Sequence, residues 1–355
     1  MSKRKVTFPH FANYCVPVEY LVTNGLDLDY VVPPPMTKHT LELGSRYSPD
    51  YACAPFKIHL GCYLEAIEKG ADTLLQVSGA CRLGYYGELH EQIIRDLGHE
   101  VDFFNMAKVE LKKPKTVLQT FSALNPHISL KRLSSTLVTT LRMVDHIDDA
   151  EDYIRRNVGF EREEGEFDAV YAEALKGMQL VETPKEMRYV ARHQMKQLKA
   201  VPVSKPKNPL RVGVVGEYYS IMDPFSSHDI EREMAKMGVM VERWMNVTNS
   251  LFHYGEKDML GRIRGYSKYN MGATAMSTVE RALKFARKGY DGIIHIKSFG
   301  CTPEMDAMPV LQNISADYKI PILYFSFDSQ TADTGIQTRL EAFYDMITMR
   351  KGKKA

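Results

Sequence analysis

The sequence of 355 residues lacks the short motifs that most often mark a cofactor or metal site. It contains no CxxC pair, which excludes both a short-spaced zinc site and a thioredoxin-type redox pair. The phosphate-binding loop GxxxxGK[ST], the zinc motif HExxH and the dinucleotide motif GxGxxG are also absent. The sequence therefore gives no sign of an ATP or dinucleotide site.

Long apolar runs and an excess of one charge are missing too. No stretch offers about 18 consecutive apolar residues, so we expect no membrane span. At the amino terminus, Pro9, His10 and Asn13 interrupt what would have to be the apolar part of a signal peptide. The 46 basic and 44 acidic residues form no long blocks, so there is no electrostatic case for nucleic-acid binding. We expect a cytoplasmic protein.

Length and composition predict two domains. A chain of 355 residues with 44% hydrophobic content can bury a substantial core but exceeds the usual size of one domain. The stretch KQLKAVPVSKPKNP is rich in Lys and Pro and has the composition of a linker. We therefore predict an N-terminal domain over residues 1–205 and a C-terminal domain over residues 206–355. Long helical patterns between about residues 115 and 200 indicate a helical extension of the first domain.

Three segments follow one plan, in which a β-rich run leads through a loop into an amphipathic helical stretch. They begin at KVTF, DTLLQVSGA and YDGIIHIKSFG, and a fourth segment of this kind begins at LRVGVVGEYYS. Strands that alternate with helices of this length are typical of a parallel sheet. The predicted class is α/β, with two halves of similar architecture.

Three of the five cysteines occupy positions that suit ligand binding. Cys81 and Cys301 each follow a predicted strand, directly after Ala80 and Gly300, and Cys53 precedes the predicted helix FKIHLGCYLEAIEKG. Ligands of open α/β sheets bind beyond the carboxyl ends of the strands, and helix N-termini favour the thiolate over the thiol. Disulfides are not expected in a reducing compartment, so metal binding or packing must explain these residues.

Other interpretations of the cysteines stay open at this point. A lone cysteine is most often a small buried hydrophobe; we predict this for Cys62, whereas Cys15 is a candidate for a further ligand. A catalytic thiol needs a positioned base, but no spacing ties His59, His90 or His295 to a cysteine. Three thiolates suit either a zinc ion or an iron–sulfur cluster with one open iron, and spacing does not choose between them.

Four long stretches resemble a known family. TFPHFANYCVPVEYLVTNG, VVPPPMTKHTLELGSRYSPDYACAPFKIHLG, GACRLGYYGELHEQIIRDLG and GYDGIIHIKSFGCTPEMDAMPVL are similar to the 2-hydroxyacyl-CoA dehydratase family, of the 2-hydroxyglutaryl-CoA dehydratase D-component type. The likeness is closest to the branch related to acyl-CoA dehydratase activase proteins. It covers nearly the whole chain except the helical middle. It implies two doubly wound parallel-sheet domains, Rossmann-like or flavodoxin-like.

The resemblance also implies a cofactor and a chemistry. It assigns a [4Fe–4S] cluster to Cys53 in CAPFK, Cys81 in GACRLGYYGE and Cys301 in FGCTPE, with a non-protein ligand on the fourth iron. One-electron reduction of a 2-hydroxyacyl thioester acidifies its β-proton, and a separate ATP-dependent iron–sulfur activator supplies the electron. The expected partners are that activator and an acyl-CoA substrate, and the expected assembly is a dimer of like or unlike chains.

Residues beside the three cysteines are given roles at the expected site, each with a structural alternative. Lys57 and Arg82 would offset the charge of the cluster and donate to substrate or sulfide, or else be ion-paired cations at helix starts. Glu304 would serve as the acid or base, or else be a first-turn acid stabilised by the helix dipole. Glu217 is a weaker candidate of the same kind.

The functional expectation is an anaerobic iron–sulfur protein for low-potential one-electron chemistry, either a lyase of the dehydratase type or a component of an ATP-dependent reductase. Two alternatives remain. The chain would be a non-catalytic electron-transfer or activator-associated subunit, or a zinc-stabilised binding protein.

Overall fold

The computed structural model describes residues 3–76, 81, 83–105, 114–253, 255–328, 331 and 333–352. In these residues the strands form two four-stranded sheets, and every strand pairing is parallel. The predicted α/β class with two parallel-sheet domains is therefore confirmed. None of the described helices combines the length and apolarity that a membrane crossing requires.

The chain divides into two compact units. The N-terminal unit comprises Met1–Ile147 and Glu173–His193, and the C-terminal unit comprises Asp148–Ala172 and Gln194–Ala355. The sequence analysis placed the whole helical stretch of about residues 115–200 in the first domain, whereas these units share it. The segment Asp148–Ala172 belongs to the C-terminal unit, and Arg155 in this segment pairs with a residue of that unit. Its guanidinium Nε lies 2.7 Å from Oε2 of Glu231.

Before the second sheet, the strands are joined by helices as far as the fourth strand, and four helices then follow in succession. The strands are β1 (Lys5–Thr7), β2 (Asp29–Tyr30), β3 (Thr73–Gln76) and β4 (Asp102–Asn105). The helices are α1 (Cys15–Tyr20), α2 (Lys38–Tyr47), α3 (Ala54–Glu68), α4 (Leu83–Asp96), α5 (Pro114–Leu124), α6 (Leu130–Asn157), α7 (Glu166–Gln179) and α8 (Pro184–Ala200).

Both faces of the N-terminal sheet are covered by helices. Leu74 and Leu75 are neighbours in β3, and their side chains point to opposite faces because side chains alternate along a strand. Leu74 packs with Leu60 of α3 on one face, while Leu75 packs with Phe121 of α5 on the other. This unit is therefore doubly wound.

The C-terminal unit contains the second sheet and its helices. The strands are β5 (Leu210–Gly216), β6 (Val239–Arg243), β7 (Gly292–Ser298) and β8 (Ile322–Phe327). The helices are α9 (Tyr218–Met222), α10 (Ile230–Lys236), α11 (Glu256–Ile263), α12 (Ala275–Arg287), α13 (Thr302–Tyr318) and α14 (Asp333–Gly352).

The two sheets have the same strand order. It is β2-β1-β3-β4 in the first and β6-β5-β7-β8 in the second, which is the flavodoxin-like order of a doubly wound sheet. The predicted similarity of the two halves is confirmed at this level. Strand β6 was not among the predicted strands; its sequence VMVER alternates between buried and half-buried positions as an edge strand does.

Two glycines bring the backbones of α2 and α3 into direct contact. A Cβ on Gly61 would lie 1.9 Å from the carbonyl oxygen of Thr40, and one on Gly44 would lie 1.7 Å from that of Lys57. Only glycine permits such an approach. This contact fixes the position of α3, and with it the position of Cys53 at the start of that helix.

Candidate functional site

Cys53 and Cys81 lie at the carboxyl edge of the N-terminal sheet. Cys53 is the N-cap of α3, with Pro55 in the first turn, and α3 leads into β3. Because a helix that joins parallel strands runs antiparallel to them, its N-terminus lies at their carboxyl edge. Cys81 follows β3 and therefore lies at the same edge.

Tyr86 links the surroundings of these two cysteines. It lies near the start of α4, shortly after Cys81, and the Cys53 thiol donates to its hydroxyl at 3.6 Å. The Tyr86 ring meets Phe56 edge-on, with 4.6 Å between the centroids. Packing across the loop thus places the Cys53 sulfur against the helix that follows Cys81. From the sequence, Tyr85 and Tyr86 are candidates to line a pocket or to hydrogen-bond a ligand, or else packing residues beside a helix, but no local pattern marks the contact of Tyr86 with Cys53.

His90 occupies the core below this contact. Its Nε2 lies 3.0 Å from the Phe56 carbonyl oxygen, and its ring stacks on Phe56 at 4.0 Å. Burial lowers its pKa to about 4, so the imidazole is neutral near pH 7. These contacts make His90 a packing residue that supports the first turn of α3.

The Cys301 turn has the form that the sequence predicted. Strand β7 ends at Ser298, Gly300 adopts a left-handed φ of +77°, and Cys301 is the N-cap of α13. The backbone N–H of Cys301 donates to the Ser298 carbonyl at 3.1 Å. Pro303 lies in the first turn of α13, so Cys301 repeats the Cys-x-Pro helix start of Cys53.

Cys81 and Cys301 occupy equivalent places in the two sheets. Each follows the third strand of its unit, β3 or β7, and each precedes the next helix. In this strand order the third strand lies beside the first at the switch point, where the crevice of a doubly wound sheet opens. Both are partly exposed, as a ligand-binding thiol must be.

Glu304 lies beneath the Cys301 turn and is fully buried. Its Oε2 is 2.8 Å from Nε2 of His295 on β7. Its Oε1 accepts from the Thr274 hydroxyl at 2.5 Å and lies 3.1 Å from the hydroxyl of Thr278 on α12. The carboxylate therefore ties the first turn of α13 to β7 and α12. Its predicted acid or base role stays a prediction.

Lys297 is a site residue that the sequence analysis missed. It is buried near the end of β7, four residues before Cys301, and its Nζ lies 3.1 Å from the Ser326 hydroxyl. Burial lowers the pKa of Lys297, while the nearby Cys301 and Glu304 act in the opposite direction. The signal in the sequence was a lysine within a run, IIHIKS, of which half is isoleucine.

Glu217 is also buried, at the end of β5. It is the N-cap of α9, and its carboxylate accepts from the backbone N–H groups of Tyr219 and Ser220 at 2.9 and 2.8 Å. Desolvation raises its pKa, and the hydrogen bonds from Ser220 and Tyr219 oppose that shift. These contacts make Glu217 a capping residue.

The remaining residues that the sequence singled out are Lys57, Arg82, Cys62 and Cys15. The Lys57 ammonium donates to the Asp50 carbonyl at 3.2 Å, in the loop before Cys53, and Arg82 lies outside the described residues. Cys62 is only 1% exposed in α3, which confirms that it belongs to the core. Burial, followed by the charge of Glu19, raises the pKa of Cys15, which favours its thiol form.

The positions of the metal-ligating side chains are known for the described residues only. Among the described residues of each unit, no three His, Cys, Asp or Glu side chains come close enough to hold a metal ion. Cys53 and Cys81 belong to the N-terminal unit and Cys301 to the C-terminal unit.

Comparison of the chain with known family models and with the curated proteins found no match. The resemblance to the dehydratase family therefore rests on the quoted stretches of sequence.

Proposed function

We propose that this chain is an iron–sulfur protein in which Cys53, Cys81 and Cys301 bind a [4Fe–4S] cluster. The observation that carries the proposal is the equivalent placement of Cys81 and Cys301 after the third strand of each sheet. Cys53 adds a third partly exposed thiol at a helix start. When bound, such a cluster supplies low-potential one-electron chemistry and leaves one iron open to an outside ligand.

The surroundings of the cysteines suit thiolate ligands. The N-termini of α3 and α13 direct positive dipole ends toward Cys53 and Cys301. The Tyr86 hydroxyl can donate to the Cys53 thiolate across the present 3.6 Å contact. The Lys297 ammonium offsets negative charge near Cys301, which is the role that the sequence analysis gave to Lys57 and Arg82.

The proposed activity follows the resemblance. The cluster would serve a 2-hydroxyacyl-CoA dehydratase reaction or a related reduction, with electrons from a separate ATP-dependent activator. The absence of a GxxxxGK[ST] loop accords with ATP hydrolysis by a partner. A non-catalytic electron relay would use the same three cysteines without an organic substrate.

Anaerobic purification with iron, sulfide and zinc analysis tests the cofactor. We expect about four iron and four sulfide per chain and a paramagnetic resonance signal after reduction. Cys301→Ala should abolish loading, whereas Cys62→Ala should retain it because Cys62 is packed in the core. One zinc without iron, or equal loss from both variants, would contradict the proposed ligands.

A second measurement distinguishes an enzyme, whose open iron binds an organic substrate, from an electron relay that binds none. Addition of a 2-hydroxyacyl-CoA to the reduced, cluster-loaded protein should shift its resonance spectrum if the open iron binds substrate. An unchanged spectrum over a saturating range would favour the electron relay.

A further inference from the structure

Helices α11 and α12 of the C-terminal unit border a groove of about 480 Å³, a volume in the range of small-ligand clefts. Five cationic side chains and one carboxylate line it: Arg262, Glu280, Arg281, Lys284, Arg287 and Lys288. The net charge of the whole chain is only +2, so composition does not account for this local excess. We call this surface the basic groove.

Glu280 compensates only part of this charge. Its Oε1 lies 2.9 Å from Nε of Arg262, and its Oε2 lies 2.8 Å from Nε of Arg281. Arg287 contacts the neutral Tyr318 hydroxyl at 3.2 Å. Lys284 and Lys288 form no ion pair with any side chain that the structure describes. Five positive charges and one negative charge line the groove, and the charge of Glu242 also acts on Arg281 and Lys284, so the groove keeps an excess of positive charge.

The positive groups repel one another. Desolvation lowers the pKa of Lys284, the charges of Arg281 and Lys288 lower it further, and the charges of Glu280 and Glu242 act in the opposite direction. The dipole of α12 accounts for positive charge at Lys284 and Arg287, which lie in its last turn, but not for Arg281 or for Arg262 on α11. Arg281 lies in the middle of α12, where the dipole has little effect. A bound anion would relieve the repulsion.

We propose that the basic groove binds a small ligand with two or more linked phosphate groups. Guanidinium forks and lysine ammonium groups are the side chains that bind phosphate most strongly, and the excess of positive charge in the groove suits a ligand with several negative charges. None of the groove residues is among the proposed cluster ligands, so binding at this site can be measured whether or not the chain holds a cluster.

Trp244 provides a direct probe of the groove. It is the single tryptophan of the chain, and the guanidinium carbon of Arg281 lies 3.8 Å from its ring centroid. An anion that binds Arg281 changes this cation–π contact and therefore the fluorescence of Trp244. A change in tryptophan fluorescence therefore reports on the surroundings of Trp244 alone.

The test is a titration of the full chain with pyrophosphate and with ADP, at constant ionic strength and without divalent ions. Trp244 fluorescence and calorimetry should both show saturable binding. Lys284→Gln with Lys288→Gln should raise the Kd by about tenfold or more, since each exposed ammonium pairs with phosphate. Tighter binding of ADP than of pyrophosphate would assign part of the groove to the organic portion of the ligand, and equal binding would assign it to the phosphates alone.

The matched control is Lys196→Gln with Lys199→Gln. These lysines are exposed on α8 in the same unit, so the control removes the same charge without altering the groove. Its Kd should stay within about twofold of the unmodified chain, because distant exposed charges are screened by salt. Absence of saturable binding at millimolar pyrophosphate and ADP, or equal weakening in both double variants, would overturn the proposal.

Discussion

Glu304 joins three parts of the C-terminal unit through its two carboxylate oxygens. Its partners are His295 on β7, the Thr274 hydroxyl before α12 and the Thr278 hydroxyl within α12. The carboxylate and the histidine ring are both fully buried, so Oε2 of Glu304 and Nε2 of His295 depend on each other for a hydrogen bond.

Removal of this carboxylate should destabilise the fold. Glu304→Ala leaves the buried His295 and the half-buried Thr274 hydroxyl without their acceptor, and we expect the free energy of unfolding to fall by about 2–4 kcal/mol. Glu304→Gln keeps the shape and should cost less. Urea denaturation measures both. Glu341→Ala, at an exposed position on α14, is the control and should change the free energy of unfolding by less than about 0.5 kcal/mol. A similarly small effect of Glu304→Ala would show that the hydrogen bonds of Glu304 do not stabilise the fold.

Individual residues also show the limit of sequence reasoning. Lys297 was overlooked because a lone lysine in IIHIKS gives no local sign of its partner, Ser326, which lies on another strand. Gly300 and Cys301 were recognised because the end of a strand, a left-handed glycine and a helix start are adjacent in the chain.

At the scale of elements, the contact between α2 and α3 positions the start of α3. Gly61 and Gly44 allow the helix backbones to touch, and Cys53 lies one turn before the carbonyl of Lys57 that Gly44 faces. A shift of α3 would move this cysteine relative to Tyr86.

Gly61→Ala should therefore destabilise the N-terminal unit. The new Cβ would lie 1.9 Å from the Thr40 carbonyl oxygen, so α2 and α3 must separate. We expect a loss of about 2 kcal/mol or more in the free energy of unfolding. Gly261→Ala in α11 is the control, since no atom lies within 4 Å of its added Cβ, and it should stabilise the helix by about 0.5–1 kcal/mol. Equal effects of the two substitutions in denaturant titrations would contradict the steric argument.

At the scale of the whole molecule, buried ion pairs join the end of α6 to the C-terminal unit. Glu231 on α10 lies 2.7 Å from Arg155 of α6 and 3.4 Å from Arg243 of β6. The side chains of both arginines are less than one tenth exposed. This network holds the end of α6 against α10 and the edge of the second sheet.

Glu231→Ala should weaken the C-terminal unit, because it leaves two buried guanidinium groups without their shared carboxylate. We expect a loss of about 3 kcal/mol in the free energy of unfolding, read from Trp244 fluorescence in urea. Glu233→Ala on the same helix removes an exposed pair with Lys236 and should cost less than about 1 kcal/mol. If Glu233→Ala proved as costly as Glu231→Ala, the ion pairs would not explain this division of the chain.

The sequence by itself determined the alternation of strands and helices, the parallel sheets, the Gly300–Cys301 turn and the core position of Cys62. These features depend on the spacing of apolar residues and on the backbone preferences of neighbours in the chain. Only the tertiary structure decided that Glu304 bonds to Thr274 and His295, that Tyr86 contacts Cys53, and that α6 is shared between the units. Such contacts join residues far apart in the chain, and they form only when packing brings their elements together.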